Sequence, residues 1–312
     1  MDFKSLPQLL DHFKEEKTCI EYYENIRWAG KPVCPHCDAE HPYVTTRGYK
    51  CSNNECYKKF TVKVGTIFEN SKISLRTWFA AIWRCTNHKK GISSVQLSLD
   101  LGITQKTAWF VLHRVREMLK DKSPRMLGEY GMVEADEAYI GQREQTKHYS
   151  KRRSDENPSL RNDGSPYVEK KVIVGIIERN GKVVLKHVPN ATKKNMVALI
   201  EKHVPKGAKI YTDESKVYKS LKKHYTHETV KHALSIYVAG DVHTNTIENF
   251  WSVLKRGLVG VYHQVSEKHL ERYLDEFSAR FNTRDITTSD RFQNFLKESE
   301  SYLSHKRLIG VK

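Results

Sequence analysis

The stretch GMVEADEAYIG, residues 131–141, decides the fold, because it predicts the first strand of a sheet that later segments extend. Two more runs rich in β-branched residues follow it, KKVIVGIIER at 170–179 and GKVVLKHVPN at 181–190. A helical pattern at 191–204 then leads to a fourth strand, AKIYTD, at 208–213. This order of three strands, a helix and a strand, followed by further helices, predicts an α/β domain.

Three acidic residues lie where a divalent-metal site would need them. Asp136 lies within the first strand, Asp213 ends the fourth, and Glu248 begins an amphipathic helix in HTNTIENFWSVLKRG, residues 243–257. Glu248 and Lys255 lie on one flank of that helix. Its apolar stripe consists of Ile247, Phe250, Trp251 and Leu254. Carboxylate oxygens suit Mg²⁺ or Mn²⁺, and two such ions suit phosphodiester chemistry. Each acid alone is more often a helix cap or a solvated residue, so the hypothesis depends on all three together.

Four of the six cysteines cluster between residues 34 and 56: Cys34, Cys37, Cys51 and Cys56. The first two form a short knuckle, the last two a longer one, and the segment between them predicts the strands of a ribbon. In a reducing compartment clustered thiols favour a metal over a disulfide, and one tetrahedral Zn²⁺ accounts for all four. A redox pair and chance clustering are the alternatives, and His36 is a possible substitute ligand. Cys19 and Cys85 are expected to be buried apolar residues.

A helical segment follows the ribbon. After a break at Gly91, two helical stretches at 92–103 and 104–119 are joined through Gly102. They resemble a helix-turn-helix whose second helix would read DNA. The residues expected to face base edges are Gln105, Lys106 and Thr107. The residues expected in the core are Trp109, Val111, Leu112, Val115 and Met118. A plain helical hairpin that packs the ribbon onto the core is an almost equally good interpretation.

The charge balance favours a polyanionic partner. The chain has 53 Lys and Arg residues against 37 Asp and Glu, a net charge of +16, and counterion release favours binding of such a protein to nucleic acid. Composition alone leaves ribosomal and membrane-surface proteins open. No apolar run long enough to span a membrane exists, and the N-terminus lacks the apolar core of a signal peptide. We therefore expect a cytoplasmic, nucleoid-associated protein with no membrane partner.

Together these segments resemble bacterial insertion-sequence transposases of the DDE class, in the group with an N-terminal zinc ribbon and an ISXO-type catalytic domain. The matching segments are WAGKPVCPHC at 28–37, KFTVKVGTIFENSKISLRTWFAAIW at 59–83, VEADEAYIG at 133–141, YTDES at 211–215 and the long block at 243–284. The resemblance implies a ribonuclease-H-like core. In such a core the first and fourth strands are adjacent and parallel, so Asp136 and Asp213 would meet side by side.

The resemblance also implies roles for individual residues. Asp136, Asp213 and Glu248 would form the metal-binding triad for two Mg²⁺ or Mn²⁺ ions, and Lys255 would contact DNA beside them. Arg256 opens a loop of glycines, basic residues and Tyr262 that would contact DNA ends, or that simply connects two helices. Some relatives carry Asn or His at the third triad position, so two neighbours are rivals to Glu248: Asn249 and Asn245. Two acids that flank Asp136 are expected to have structural or supporting roles: Glu134 and Glu137.

The expected organisation is N-terminal helices and a zinc ribbon at 1–70, a helix-turn-helix-like segment at 71–122, a ribonuclease-H-like domain at 127–285 and a helical tail at 286–312. A polar insertion at about 142–170 is expected to be mobile. The expected activity is cleavage at the ends of a mobile element and joining of the 3′-hydroxyls to target DNA. The partners would be double-stranded DNA and further copies of the chain, in a dimer or a larger synaptic complex. A non-catalytic DNA-binding regulator and a nuclease without joining activity are the alternatives.

Overall fold

The computed structural model of the protein describes residues 3–122, 126–129, 131–141, 148–164, 170–230 and 243–310. The chain forms two compact units. The first, here called the ribbon–helix unit, comprises Met1–Lys122, Val259–His263 and Asp275–Lys312. The second, here called the sheet unit, comprises Ser123–Leu258 and Gln264–Leu274. No helix in the described part of the chain is long and apolar enough to cross a membrane.

The ribbon–helix unit combines a small sheet with several helices. Its three strands pair antiparallel in the order β1-β2-β3: β1 Tyr43–Thr45, β2 Gly48–Lys50 and β3 Lys59–Phe60. Five helices precede or follow the strands: α1 Leu6–His12, α2 Glu16–Trp28, α3 Leu75–Asn87, α4 Ser94–Leu101 and α5 Gln105–Leu119. Two more come from the end of the chain: α9 Thr288–Lys297 and α10 His305–Ile309.

Side-chain caps fix where the central helices of this unit begin. Ser74, Ser93 and Thr104 each precede a helix and accept a hydrogen bond from the backbone N–H three residues later. Such caps satisfy amides that have no partner within the helix. Gly102 ends α4 in the left-handed conformation, with φ of 63°. A tight turn therefore joins α4 to α5, at the position predicted from the sequence.

An aromatic cluster forms the core of the ribbon–helix unit. The Phe13 and Phe79 rings meet edge to face with centroids 4.9 Å apart, and Phe292 of α9 lies 5.4 Å from Phe79. Cys19 and Cys85 are buried, as expected. On α5 the predicted core residues are buried except Trp109, which is half-buried and packs on the ring of His113. The C-terminal helix α9, whose role the sequence does not reveal, is thus part of this core.

The sheet unit has the ribonuclease-H-like topology that the sequence predicts. Its strands are β4 Val133–Ile140, β5 Lys171–Glu178, β6 Val183–Val188, β7 Lys209–Thr212 and β8 Thr226–Thr229. The spatial order is β6-β5-β4-β7-β8, with β4, β5 and β6 antiparallel and with β7 and β8 parallel to β4. The unit also contains helix α6 Lys193–His203 and the first parts of α7 Asn245–Gly260 and α8 Glu267–Asn282.

The two faces of this sheet pack against different helices. Apolar side chains of β4 and β5, with Met196 and Ile200 of α6, form the core on one face. Trp251 of α7 lies against Gly175 of β5 on the other face, since a Cβ at Gly175 would lie only 2.7 Å from the Trp251 ring. Consecutive residues of a strand point to opposite faces, so every second residue of β4 points toward α7.

Part of the polar insertion has local structure. Residues 148–164 form a hairpin-like loop with an isolated bridge between Arg153 and Arg161 and a 2.6 Å ion pair between Lys151 and Asp163. Residues 142–147 and 165–169 of the insertion lie outside the described residues. The sequence predicted a mobile insertion because this segment contains few apolar residues. Its local structure was missed because polar contacts, rather than a hydrophobic core, hold the loop together.

A buried carboxylate anchors the last part of α8 within the ribbon–helix unit. Glu276 is fully buried and accepts hydrogen bonds from Arg116 of α5 (2.6 Å), from Tyr262 (2.6 Å) and from Arg280. Burial alone would raise the pKa of Glu276, but the guanidinium groups of Arg280 and Arg116 outweigh burial and lower that pKa to about 2. The carboxylate is therefore ionised and paired at neutral pH.

We expect Glu276→Gln to lower the free energy of unfolding by about 3 kcal/mol, because it leaves two buried guanidinium groups without a counter-charge. Since the folded-state pKa is lowered, the contribution is present above about pH 4.5 and falls as the pH drops toward 2. Urea unfolding at pH 7 and at lower pH measures this. Glu267→Gln, at an exposed position of the same helix, is the control and should change stability by less than about 0.5 kcal/mol. Equal effects of the two substitutions would contradict the assignment.

Candidate active site and metal centres

The ribbon cysteines form one compact group of thiols. The Sγ atoms of Cys34 and Cys56 lie 3.9 Å apart. Those of Cys37 and Cys51 lie 3.5 Å apart. All four sulfur atoms lie within 4.8 Å of one another, and His36 is not part of the group. Tetrahedral Zn²⁺ with Zn–S bonds of about 2.3 Å requires sulfur atoms about 3.8 Å apart. The donor set and its spacing therefore fit one structural zinc ion.

The two predicted aspartates lie at the junction of β4 and β7. The parallel register pairs Val133 with Ile210 and Glu134 with Tyr211, and Asp213 follows the last residue of β7. The same register continued by two residues would set Asp213 beside Asp136. Paired residues of adjacent strands project to the same face. Burial raises the pKa of Asp136 to about 6, and the negative charges of Glu137 and Asp213 add to this rise. The negative charge of Asp213 therefore lies near enough to Asp136 to disfavour ionisation of the Asp136 carboxyl.

A tryptophan of α7 orients one of these carboxylates. Trp251 Nε1 donates a 2.9 Å hydrogen bond to Oδ2 of Asp136. Asp136 pairs across the antiparallel ladder with Gly175, the residue on which the Trp251 ring lies. A side chain at position 175 would occupy the space of the indole. The glycine therefore allows Trp251 to reach Asp136 across the sheet.

Glu248, the third predicted ligand, lies on the same helix one turn before Trp251. Its side chain is exposed and accepts a 2.8 Å hydrogen bond from the Thr244 hydroxyl. Positions three apart on a helix are neighbours on its surface, so Glu248 lies next to the residue that contacts Asp136. Within the described residues, however, the cysteines are the only group of three or more possible ligands that meets the 4.8 Å spacing. Asp136, Asp213 and Glu248 therefore do not form a group with that spacing.

Glu134 supports the start of α7, a role that the sequence pattern does not specify. It is fully buried on the same face of β4 as Asp136. Its carboxylate accepts hydrogen bonds from the Ile247 backbone N–H (2.9 Å), the Thr246 hydroxyl (2.9 Å) and Arg179 Nε (2.7 Å). A carboxylate at a helix N-terminus satisfies free amides and interacts favourably with the helix dipole. Glu134 thus fixes the helix residue next to Glu248.

Glu137 belongs to the opposite face of β4. Its carboxylate accepts a 2.6 Å hydrogen bond from the hydroxyl of buried Tyr218. Burial raises the pKa of Glu137, and the charge of Asp213 adds to that rise. Directly after β7, the Ser215 backbone N–H donates a 3.1 Å hydrogen bond to Oδ1 of Asp213. The site therefore has three neighbouring acids: Asp136, Glu137 and Asp213.

The residues predicted to contact DNA lie on two helices, one in each unit. Lys255 and Arg256 are exposed on α7, where Arg256 Nε donates to the Ser252 carbonyl. At the start of α5, Gln105 and Lys106 are exposed. The remaining candidate, Thr107, is half-buried, and its hydroxyl lies 2.9 Å from the capping hydroxyl of Thr104. Gln105 Nε2 donates to Ser94 Oγ of α4. Their contact with DNA stays a prediction.

We expect purified protein to contain one tightly bound Zn²⁺ per chain, because four thiolates at this spacing form a complete tetrahedral site. Cys34→Ser and Cys56→Ser should each lose the metal and unfold the ribbon. Cys19→Ala, at a buried cysteine outside the cluster, is the control and should keep the zinc. Elemental analysis with circular dichroism measures both effects. The absence of zinc from freshly prepared, reduced wild-type protein would rule out the site.

We expect Asp136→Asn to stabilise the metal-free protein at neutral pH. The folded-state pKa of Asp136 is raised to about 6, so ionisation opposes folding increasingly as the pH rises from about 4, and the effect levels off above about 6. The full effect is about 3 kcal/mol, since one pKa unit corresponds to about 1.4 kcal/mol. Thermal unfolding between pH 5 and pH 8 in the presence of a chelator measures it. A difference between variant and wild type that does not grow with pH would contradict the raised pKa.

Two family models match the chain. A family model described as a transposase zinc-ribbon domain matches residues 14–59. A second, described as an ISXO2-like transposase domain, matches residues 128–282 and so includes β4, β7 and the candidate carboxylates. Together the two matched segments make up more than half of the chain.

Individual relatives were also found. The chain is 29% identical over 277 residues to an uncharacterized protein in transposable element ISH50 of Halobacterium salinarum, with 86% of this chain and 91% of that protein covered. It is 29% identical over 100 residues, 32% of this chain, to 80% of an uncharacterized transposase-like protein of Haemophilus influenzae.

Two solved structures are more distant. The Mos1 strand transfer complex aligns with 72% of this chain and 79% of that chain, at 11% identity and a TM-score of 0.27. A pre-cleavage Mos1 transpososome aligns with 68% of this chain and 75% of that chain, at 14% identity and a TM-score of 0.23. Scores this low are not evidence of a shared fold. From its sequence matches, the chain belongs to the insertion-sequence transposases that have a zinc ribbon and an ISXO2-like DDE transposase domain.

Proposed function

We propose that this transposase cleaves DNA at the ends of its own element and joins the freed 3′-hydroxyls to target DNA. The observation that carries the proposal is the proximity of the Asp136 and Asp213 carboxylates at the parallel β4–β7 junction, where the charge of Asp213 adds to the raised pKa of Asp136. Two carboxylates on one face of a sheet edge repel each other when both are ionised. A site of this kind favours a divalent cation, which removes the repulsion and accepts oxygen ligands.

The donor set fits Mg²⁺ or Mn²⁺. Asp136 and Asp213 would share one ion, and Asp136 with Glu248 would hold a second. Bound there, the ions would activate the attacking oxygen and stabilise the leaving one in an in-line displacement. The reaction would proceed without a covalent enzyme intermediate, first with water and then with the 3′-hydroxyl as nucleophile.

The protein's own residues would prepare the site for that chemistry. The Trp251 hydrogen bond to Oδ2 and a hydrogen bond from the Glu137 backbone hold the Asp136 carboxylate in place. The Ser215 backbone N–H holds Oδ1 of Asp213 in the same way. Glu134, through its bond to the Ile247 amide, fixes the helix that carries Glu248. Fixing ligands before binding reduces the conformational entropy that the site would otherwise lose.

DNA would be the partner of the exposed cations as well as the substrate. Lys255 lies two helical turns after Glu248, about 10 Å along the helix axis at about 1.5 Å per residue. Lys255 and Arg256 are exposed on α7, so both are available to phosphate groups of a DNA strand. Joining two element ends to one target requires both ends to be held together, and the active assembly is therefore a dimer or a larger synaptic complex.

We expect Asp136→Asn, Asp213→Asn and Glu248→Gln each to abolish cleavage and strand transfer while DNA binding is largely kept. Each substitution removes a metal-coordinating charge with little change in side-chain volume. The assay incubates full-length protein with Mg²⁺ or Mn²⁺ and a labelled duplex that carries the DNA flanking the coding segment. Glu214→Gln, at the exposed acid next to Asp213, is the matched control and should remain active.

Each other outcome has a defined meaning. Full activity of Glu248→Gln, with inactive Asn249→Ala or Asn245→Ala, would move the third ligand to a neighbouring position of α7. Activity in both aspartate variants would disprove the metal site. Wild-type protein that binds the duplex and leaves it intact with either metal would be a non-catalytic DNA-binding regulator. Cleavage without joined products would indicate a nuclease.

A further inference from the structure

The zinc ribbon has one face that its own core does not use. The antiparallel register pairs Tyr43 with Lys50 and Lys50 with Lys59, so these three side chains form a row across the three strands. Cross-strand partners project to the same face of a sheet. Tyr57 lies beside this row, with the Lys50 ammonium 3.9 Å from its ring centroid. The four residues are called here the lysine–tyrosine face: Tyr43, Lys50, Tyr57 and Lys59.

The opposite face of the same sheet is occupied. There Tyr49 stacks on Phe60 with ring centroids 5.6 Å apart, and Trp28 of α2 packs edge to face against both rings. On this side the Tyr49 hydroxyl also forms a hydrogen bond with the Glu24 carboxylate. The core of the ribbon and its nearest helix thus lie on one side of the sheet. The lysine–tyrosine face is the other side.

Two large aromatic side chains are exposed on the lysine–tyrosine face. Tyr43 is 60% exposed and Tyr57 is 51% exposed. Single exposed apolar residues are common and need no explanation. Two exposed rings next to two lysines on one face of an eight-residue sheet are less easily explained as chance. Rings and ammonium groups in this arrangement are typical of surfaces that bind nucleic acid.

The charged residues of the three strands are all positive. None of the three strands contains an acidic residue, and exposed Arg47 and Lys58 lie next to β2 and β3 and add two more cations. A surface of this kind attracts a polyanion at long range and releases counterions when it binds one. Charge complementarity therefore selects the phosphate backbone of DNA as the occupant of this face.

We propose that the lysine–tyrosine face of the ribbon binds the phosphate backbone of duplex DNA. Lys50 and Lys59 contact phosphates, while the hydroxyls of Tyr43 and Tyr57 donate to phosphate oxygens and their rings pack on the sugars. These contacts position the protein without reading base sequence. The proposal depends on the proposed function only for the identity of the partner, since it requires neither metal binding nor cleavage at the carboxylates.

The test measures binding of full-length, zinc-containing protein to a fluorescent duplex of random sequence across a salt series. Lys50→Ala combined with Lys59→Ala should lower the magnitude of the salt slope by about 1.8, because each phosphate contact contributes about 0.9. Affinity at low salt should fall at least about tenfold, as expected when two charge contacts are lost. Lys31→Ala, at an exposed lysine outside the three strands, is the charge control and should change the slope by much less.

A second pair of variants tests the aromatic contacts. Tyr43→Ala should weaken binding several-fold with little change in salt slope, because a tyrosine carries no charge at neutral pH. Val44→Ala is the matched control, since Val44 is the next residue of β1, is 82% exposed and belongs to the opposite face. Zinc content, measured for every variant, shows that the ribbon is still folded.

An unchanged salt slope in the zinc-containing double variant overturns the proposal. An equal decrease of the salt slope in Lys31→Ala also overturns it, because the binding would then depend on the total charge of the protein and not on this face. If the double variant loses its zinc, the single variant Lys59→Ala is used instead, because the Lys59 side chain is exposed. The magnitude of its salt slope must then fall by about one unit. Binding only to single strands also overturns it. The assay requires neither a metal ion at the carboxylates nor cleavage of the duplex, so failure of the catalytic proposal leaves this result unaffected.

Discussion

The parallel pairing of β4 with β7 is the constraint on which the rest of the sheet unit depends. It brings the end of β7, and Asp213 directly after it, beside the part of β4 that carries Asp136. A displacement of one residue in this register would turn one carboxylate to the opposite face. The core formed by β4, β5 and α6 on the other face fixes the register, because the apolar residues of β4 would otherwise be exposed. Packing on one face therefore determines the chemistry of the other.

Helix α7 is positioned by two contacts with the same strand. Glu134 accepts from the amide of Ile247, and Asp136 accepts from the indole of Trp251 one turn later. Two alternate residues of β4, Glu134 and Asp136, thus contact two successive turns of α7. Gly175 makes the second contact possible, since any side chain there would meet the indole. The helix that carries Glu248 is therefore fixed to the strand that carries Asp136.

Sequence patterns predicted those strands and metal ligands that are recognisable from neighbouring residues in the chain. Strands β4 to β7 were recognised as runs of apolar and β-branched residues, and the cysteine set by its short spacing. Strand β8 was not predicted, because its four residues, THET, are polar and only His227 is buried. The role of Glu134 could also not be predicted from the sequence, since its hydrogen-bond donors Arg179 and Thr246 are 45 and 112 residues away in the chain. Long-range polar contacts leave no periodic pattern.

Two carboxylates whose pKa values are shifted in opposite directions, Glu276 and Asp136, show what distinguishes a structural acid from a candidate ligand. Glu276 and Asp136 both lose water, which disfavours the charged form of each. Glu276 has two guanidinium partners and stays ionised, so it stabilises the fold. Asp136 has the neutral indole as a donor and acids as neighbours, and no ion pair involves it in the described part of the chain. A guanidinium there would neutralise the charge and occupy the oxygen atoms that a cation needs. Burial without an ionic partner among the described residues holds Asp136 at the expense of stability, as expected for the metal ligand proposed above.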